Sequence, residues 1–316
     1  MKKSRDSKSV SIASLVPLGG DIMSKTVDIR ATSDNRGLGA IFSPVDVRDY
    51  RLAATATADK TEFPEEFVLP MVRVKDQGTV GSCVAHALSE VVEFFNKKQH
   101  NLNYVMSTDF IYGNRRTTSH TGSGLVIRDA LKAVQKYGDI RHTKLPGNTE
   151  VPDVIDKFES NFDPLKDEAH KSRISTYVKL TTVSEIKSFL MNHGPVVIGM
   201  KWYRDYHVNS GGYLSSFYNK EDLCGRHCMV ICGWNQYGWI IQNSWGSSWG
   251  TKGTCLFPEI KINHFEEIWG VTDEIFENMD EEKQEEEVIV KPLSGKIGQF
   301  FAAIFNFILN LFKKNK

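Results

Sequence analysis

Cys83 follows two glycines in QGTVGSCVAHA (residues 77–87) and is followed at once by an apolar run with helical spacing. A thiol placed where a loop turns into a helix faces unpaired backbone amides and the positive end of the helix dipole, and both favour the thiolate. The alternative is inert packing, since free cysteine is among the most buried side chains. Nucleophilic use requires three more groups: a base for the proton, a partner that orients the base, and donors for the oxyanion. The chain holds a candidate for each. Gln77 lies six residues before Cys83 on the loop side, where its amide can turn back toward the thiol. His227 opens the apolar run of RHCMVICGW (226–234), so a strand would hold its ring rigidly. Asn243 stands in QNSWGSSWG (242–250), at the end of the following strand and within reach of His227.

The elements that must position these residues are legible as periodicities. Val84, Leu88, Val91, Val92 and Phe95 predict an amphipathic helix with Cys83 at its front. IRDALKAVQKYG (127–138) predicts a second helix ending at Gly138, and VSEIKSFLMNHG (183–194) a third, closed by Gly194 and Pro195. VVIGM (196–200), CMVICGW (228–234), GWIIQNSW (238–245) and TCLFPEI (254–260) read as strands separated by turn residues. Helices first and strands later predict an α+β protein with two unlike halves. No internal repeat is visible.

QGTVGSC, RHCMVICGW and NSWGSSWG, in that order and at those distances, resemble the three signature segments of the papain family of cysteine peptidases. The similarity covers roughly residues 64–271. VRDY (47–50), GLVIRDALKAVQKYG and RISTYVKL are closer to the prokaryotic and viral branch than to the lysosomal one. The resemblance implies a papain-like two-lobed fold, a helical lobe and a β-barrel-like lobe, with the substrate groove between them. It implies Cys83 as nucleophile, His227 as its proton partner, Asn243 as the acceptor that fixes the ring, and Gln77 with the Cys83 N–H as the oxyanion hole. Gly124 would pair with substrate backbone, while Val126, Ile127 and Cys228 would line an apolar pocket. Trp245 would shield the His227–Asn243 contact from water. The activity implied is thiol-dependent hydrolysis of peptide bonds in protein or peptide substrates, without a cofactor or metal. A transpeptidase or ligase using the same site, and a binding protein that retains the fold, are the rival readings.

The sequence also departs from the family pattern. Val80 stands where secreted relatives carry a disulfide cysteine, Val84 replaces a tryptophan, and Arg226 replaces an acidic or small residue, its side chain expected to face solvent. Residues 1–65 lack the long helical pattern of the family's inhibitory propeptide, which leaves groove blocking, trimming and an unrelated role all open.

Composition bounds the rest. At 316 residues and 41% hydrophobic, the chain can bury a large core, and a net charge of zero gives no field that would gather nucleic acid. Five cysteines are too few for a disulfide scaffold and odd in number. The broken apolar stretch of MKKSRDSKSVSIASLVPLGG does not make a secretory signal, so a cytoplasmic or virion-associated location is expected. The expected organisation is a leader (1–65) containing the weakly patterned LAATATADKT (52–61), a catalytic domain (66–271), an acidic linker (272–294) and an apolar C-terminal helix (295–316). From Ile297 to Phe312 that helix is roughly 24 Å long, short of a ~30 Å hydrocarbon core, so it is expected to lie on a membrane surface or against a partner helix. Cys224, Cys228 and Cys232 are evenly spaced without the hairpin of a zinc site and read as core. His86, one turn behind Cys83, reads as helix packing, His142, His193 and His207 as surface, and Trp239, Trp249 and Tyr237 as core aromatics.

Overall fold

The computed structural model describes residues 36–46, 49, 62–114, 123–145, 165–215 and 219–272. The LAATATADKT segment, the acidic run beyond Thr272 and the apolar tail lie outside the described residues. In chain order the principal elements are β1 (Ala40–Ile41), β2 (Phe67–Val68), α1 (Cys83–His100), α2 (Thr108–Gly113), β3 (Leu125–Val126) and α3 (Ile127–Tyr137). They continue with β4 (Thr176–Lys179), α4 (Val183–Asn192), β5 (Val196–Tyr203), β6 (Leu223–Asn235), β7 (Gly238–Gln242), β8 (Thr254–Phe257) and β9 (Phe265–Thr272). The fold is α+β, with α1–α3 in the first half and, in the second, an antiparallel sheet with α4 between β4 and β5.

Helix α1 is the spine of the helical half. Its apolar positions pack on β6, α2 and α3, yet Glu90 and Glu93 are buried on it as well. Those carboxylates are held by the loop that leads into the helix. Lys75 Nζ lies 2.8 Å from Glu93 Oε1, Arg73 Nε lies 2.6 Å from Glu93 Oε2, and the Lys75 N–H donates to Glu90 Oε1 at 3.2 Å. A carboxyl group buried this deeply persists only with such partners. The network anchors residues 73–77, and with them Gln77, to the helix that starts at Cys83.

Helix α3 stops at Gly138, whose φ of 82° suits glycine and where a Cβ would sit 1.8 Å from the Ala169 carbonyl oxygen. Helix α4 begins with a reciprocal cap, the Thr182 side chain accepting from the Glu185 N–H while Glu185 accepts from the Thr182 N–H.

The sheet has seven strands, six in the order β4-β9-β5-β6-β7-β8, with β2 also paired to β6. Its two ends, β4 and β8, do not pair, so the second half is an open sheet and not the barrel-like closure implied by the resemblance. Trp202, Trp234, Trp239 and Trp269 are fully buried in it. Tyr237, by contrast, is 55% exposed at the β6–β7 turn, which corrects its reading as a core aromatic. Two ties hold the halves together beside the site: the Gln77 N–H donates to the Ser244 carbonyl at 2.8 Å, and the Gly246 N–H to the Lys75 carbonyl at 2.9 Å.

Candidate active site

The first residue of α1 is Cys83, fully buried, so its sulfur lies at the amide-rich end of an 18-residue helix. His227 sits in the long strand β6, opposite Met200 of β5, and Asn243 directly follows β7. The His227 Nε2 and Asn243 Oδ1 are 2.7 Å apart. Asn243 Oδ1 also accepts from the Ser244 N–H at 2.8 Å, which fixes that oxygen as an acceptor and therefore puts the imidazole proton on Nε2. Nδ1 is left as a lone pair, buried and without a hydrogen-bond partner. Trp245 and Trp202 pack on the ring, with centroids 4.7 and 5.2 Å away, and exclude water from the His227–Asn243 bond. Trp202 is a ring contact of His227 that sequence periodicity does not single out.

Gln77 is buried beside this pair. Its Oε1 accepts from Ser244 Oγ at 2.6 Å, and its Nε2 donates to Val80 O at 2.7 Å and to Gly37 O at 3.0 Å. The last contact belongs to residues 36–46, which run across the groove. The Gly37 N–H donates to Gly78 O at 3.0 Å, and the Leu125 N–H donates to Gly39 O at 2.9 Å. Strand β1 then pairs in parallel with β3, Ala40 beside Leu125 and Ile41 beside Val126. Two glycines let the segment lie this close: a Cβ on Gly37 would sit 2.1 Å from Val80 O, and one on Gly39 1.8 Å from Gly81 O.

The remaining positions surround this segment. Gly124, at φ 93°, lies under Gly39, and its own N–H donates to the Tyr112 hydroxyl at 3.1 Å, so the amide that pairs with the segment is Leu125's. Ile127 Cδ1 and the Phe42 ring both lie over Gly199, 2.5 and 3.2 Å from where a Cβ would be, while Cys228 sits with Cys83 in one apolar cluster. The Arg226 guanidinium lies over the Phe42 ring at 4.7 Å, not out in solvent.

The charge state follows from the occupied groove. Burial pushes the Cys83 thiol up to about 11, against the backbone amides of Cys228, Gly39, Val84 and Cys83 itself. Burial likewise pulls His227 down to about 4, against its bond to Asn243. With Nδ1 unpartnered, no hydrogen bond joins the ring to the sulfur, and both groups are neutral at pH 7. His86, lowered to about 3 by burial and tied through Nδ1 to Ser82, is no competing base. All five cysteines are free thiols, and no group of three or more potential metal ligands occurs among the described residues.

A profile of the papain family cysteine proteases matches residues 59–266. The chain belongs to this family. It is 30% identical to an uncharacterized peptidase C1-like protein of Acanthamoeba polyphaga mimivirus, over 65% of this chain and 72% of that one. It is 28% identical to a cysteine protease of Blomia tropicalis, over 58% of this chain and 56% of the mite protein. Xylellain, a cysteine protease from Xylella fastidiosa, superposes with a TM-score of 0.66 at 25% identity, covering 78% of this chain and 99% of that structure. Membership makes the protein a thiol-dependent hydrolase of peptide or protein substrates.

Proposed function

We propose that the protein is an endopeptidase in which Cys83 is the nucleophile and His227 Nδ1 its base, held latent here by residues 36–46. The observation that carries this is the orientation of His227. Nε2–H is committed to Asn243, so the one free lone pair of the ring is the buried Nδ1, on the nitrogen not used by Asn243. Once the segment leaves, Nδ1 takes the thiol proton and the thiolate attacks a peptide carbonyl. The Gln77 Nε2–H, freed from Gly37, and the Cys83 N–H receive the oxyanion. The imidazolium then protonates the leaving amine. Water, deprotonated by the same ring, cleaves the thioester to release the acid and regenerate the thiol.

The full chain carrying Gly39→Val should digest a denatured protein, and adding Cys83→Ala should abolish that digestion. Undiminished digestion by the double variant would refute the assignment. The tether reading for residues 295–316 rests on their apolar pattern alone. It predicts that the full chain floats with anionic vesicles and that a chain ending at Val290 does not; equal flotation would remove it.

A further inference from the structure

Strand β9 ends at Thr272, where exposed cations from three elements gather. Thr272 pairs with Thr176 of β4, and its carbonyl accepts from the Ser175 N–H at 2.9 Å. From there the contacts lead to two helices. The Ser175 carbonyl accepts from the Gln135 side-chain amide of α3 at 2.7 Å. The Ser172 carbonyl accepts from the Asp139 N–H just past α3 at 3.2 Å, and Asn96 Nδ2 of α1 lies 3.5 Å from Ser172 Oγ. Lys132, one helical turn earlier, and Lys136 flank Gln135. Lys171 and Arg173 flank Ser172, and Lys97 and Lys98 follow Asn96. All six of these residues are exposed.

Among the described residues none of the six has an acidic partner. Lys97, Lys98 and Arg173 reach neutral oxygens only: Asn101 Oδ1 at 2.7 Å, the His193 carbonyl at 2.7 Å and the His170 carbonyl at 3.2 Å. Elsewhere Arg73, Lys75, Arg128, Arg141, Lys187 and Lys201 each have a carboxylate at 2.6–2.8 Å. Lys97, Lys98 and Lys136 also serve the negative ends of the α1 and α3 dipoles, but Lys132, Lys171 and Arg173 have no such role. The sequence resumes at Asp273 with nine carboxylates against one lysine in residues 273–287. That stretch reaches up to about 50 Å when extended, so from its own attachment point it can cover the whole surface. Single exposed ion pairs are weak and screened by salt, but six cations beside a tethered polyanion act together at high effective concentration. We propose that the basic surface made by Lys97, Lys98, Lys132, Lys136, Lys171 and Arg173 is the docking site of the chain's own acidic run, residues 273–287. Docked there, the run neutralises this face of the helical half and denies it to other polyanions.

The test is carbodiimide crosslinking of the full chain, which joins a carboxylate to an amine only at ion-pair distance, followed by peptide mapping by mass spectrometry. Most crosslinks from residues 273–287 should end within the same chain on Lys97, Lys98, Lys132, Lys136 or Lys171. Salt at about 0.5 M should lower their yield at least about fivefold, because it shortens the Debye length to below about 5 Å. Lys171→Glu with Arg173→Glu leaves the four helix lysines as reporters and should lower their yield by a similar factor. Should that variant not fold, the salt arm, which alters no residue, decides alone. Three results would overturn the proposal. Crosslinks spread equally over Lys201, Lys220 and Lys252 of the sheet half would show no preferred surface. Crosslinks that join two chains would assign the surface to a second copy. Helix-lysine crosslinks unchanged by the double variant, with binding to phosphatidylserine vesicles lost, would assign it to a lipid headgroup.

Discussion

The side-chain amide of Gln77 donates to the carbonyl of Gly37 at 3.0 Å, while the backbone amide of the segment that meets the Cys83 sulfur is that of Gly39. The oxyanion donor and the nucleophile therefore engage backbone two residues apart. One short segment thus occupies both the oxyanion donor and the surroundings of the nucleophile.

Displacing the segment should switch the protein on. A Cβ at Gly39 would lie 1.8 Å from the Gly81 carbonyl oxygen, a backbone atom that cannot step aside cheaply. Gly39→Val in the full chain should raise digestion of a denatured protein at least about tenfold over the unaltered chain, by shifting the population toward the open groove. Equal digestion by the two chains would show that the segment does not control access.

Thiol reactivity should shift with it. In the occupied groove burial holds Cys83 near 11 and His227 near 4, so the rate of Cys83 alkylation by iodoacetamide should stay low at neutral pH and climb only in alkali. In the Gly39→Val chain the desolvation falls away and the imidazole can hold the proton, so the rate should already be near its plateau below neutral pH. Peptide mapping of the alkylated cysteine across pH measures both profiles.

Gln77→Ala, placed in the Gly39→Val chain, removes one oxyanion donor. It should lower kcat by about 10²–10³-fold, roughly 2.7–4 kcal/mol, leaving a slow enzyme. A loss in KM alone would place Gln77 in substrate binding instead.

Stability should depend on pH through Glu90. Burial raises this carboxyl from 4.5 to about 8, so between those values the folded chain holds a proton that the unfolded chain releases. The protein should therefore lose stability as pH rises through this window, by up to ~1.4 kcal/mol per pH unit from this group. Glu90→Gln should flatten the slope, as read from urea midpoints at about pH 5 and about pH 8.

Much of this architecture is legible in the sequence, and the gaps have physical causes. Helix α1 shows itself because Val84, Leu88, Val91 and Phe95 repeat at its period. Its buried Glu90 and Glu93 do not, because their partners Lys75 and Arg73 lie in a loop whose approach no local pattern encodes. Strand β9, FEEIWGVT, goes unread because two glutamates interrupt its alternation, one paired with Lys201 and the other reaching the groove. The groove-filling stretch is also missed. It binds through backbone and through the absence of side chains at Gly37 and Gly39, and that leaves no hydrophobic period to find. The catalytic candidates are legible for the opposite reason: their residue types are tied to chemistry, and their spacing to a strand pair and a helix front. The Tyr112 hydroxyl taking up the Gly124 N–H lies beyond any such signal.

The most direct test of the central claim is to treat the full chain carrying Gly39→Val with a thiol-directed peptidyl epoxide and locate the adduct by mass spectrometry. One adduct per chain on Cys83, absent when His227 is changed to Ala, is the predicted result. An adduct distributed over Cys228 and the other cysteines, or a Cys83 adduct formed equally well without His227, would contradict it.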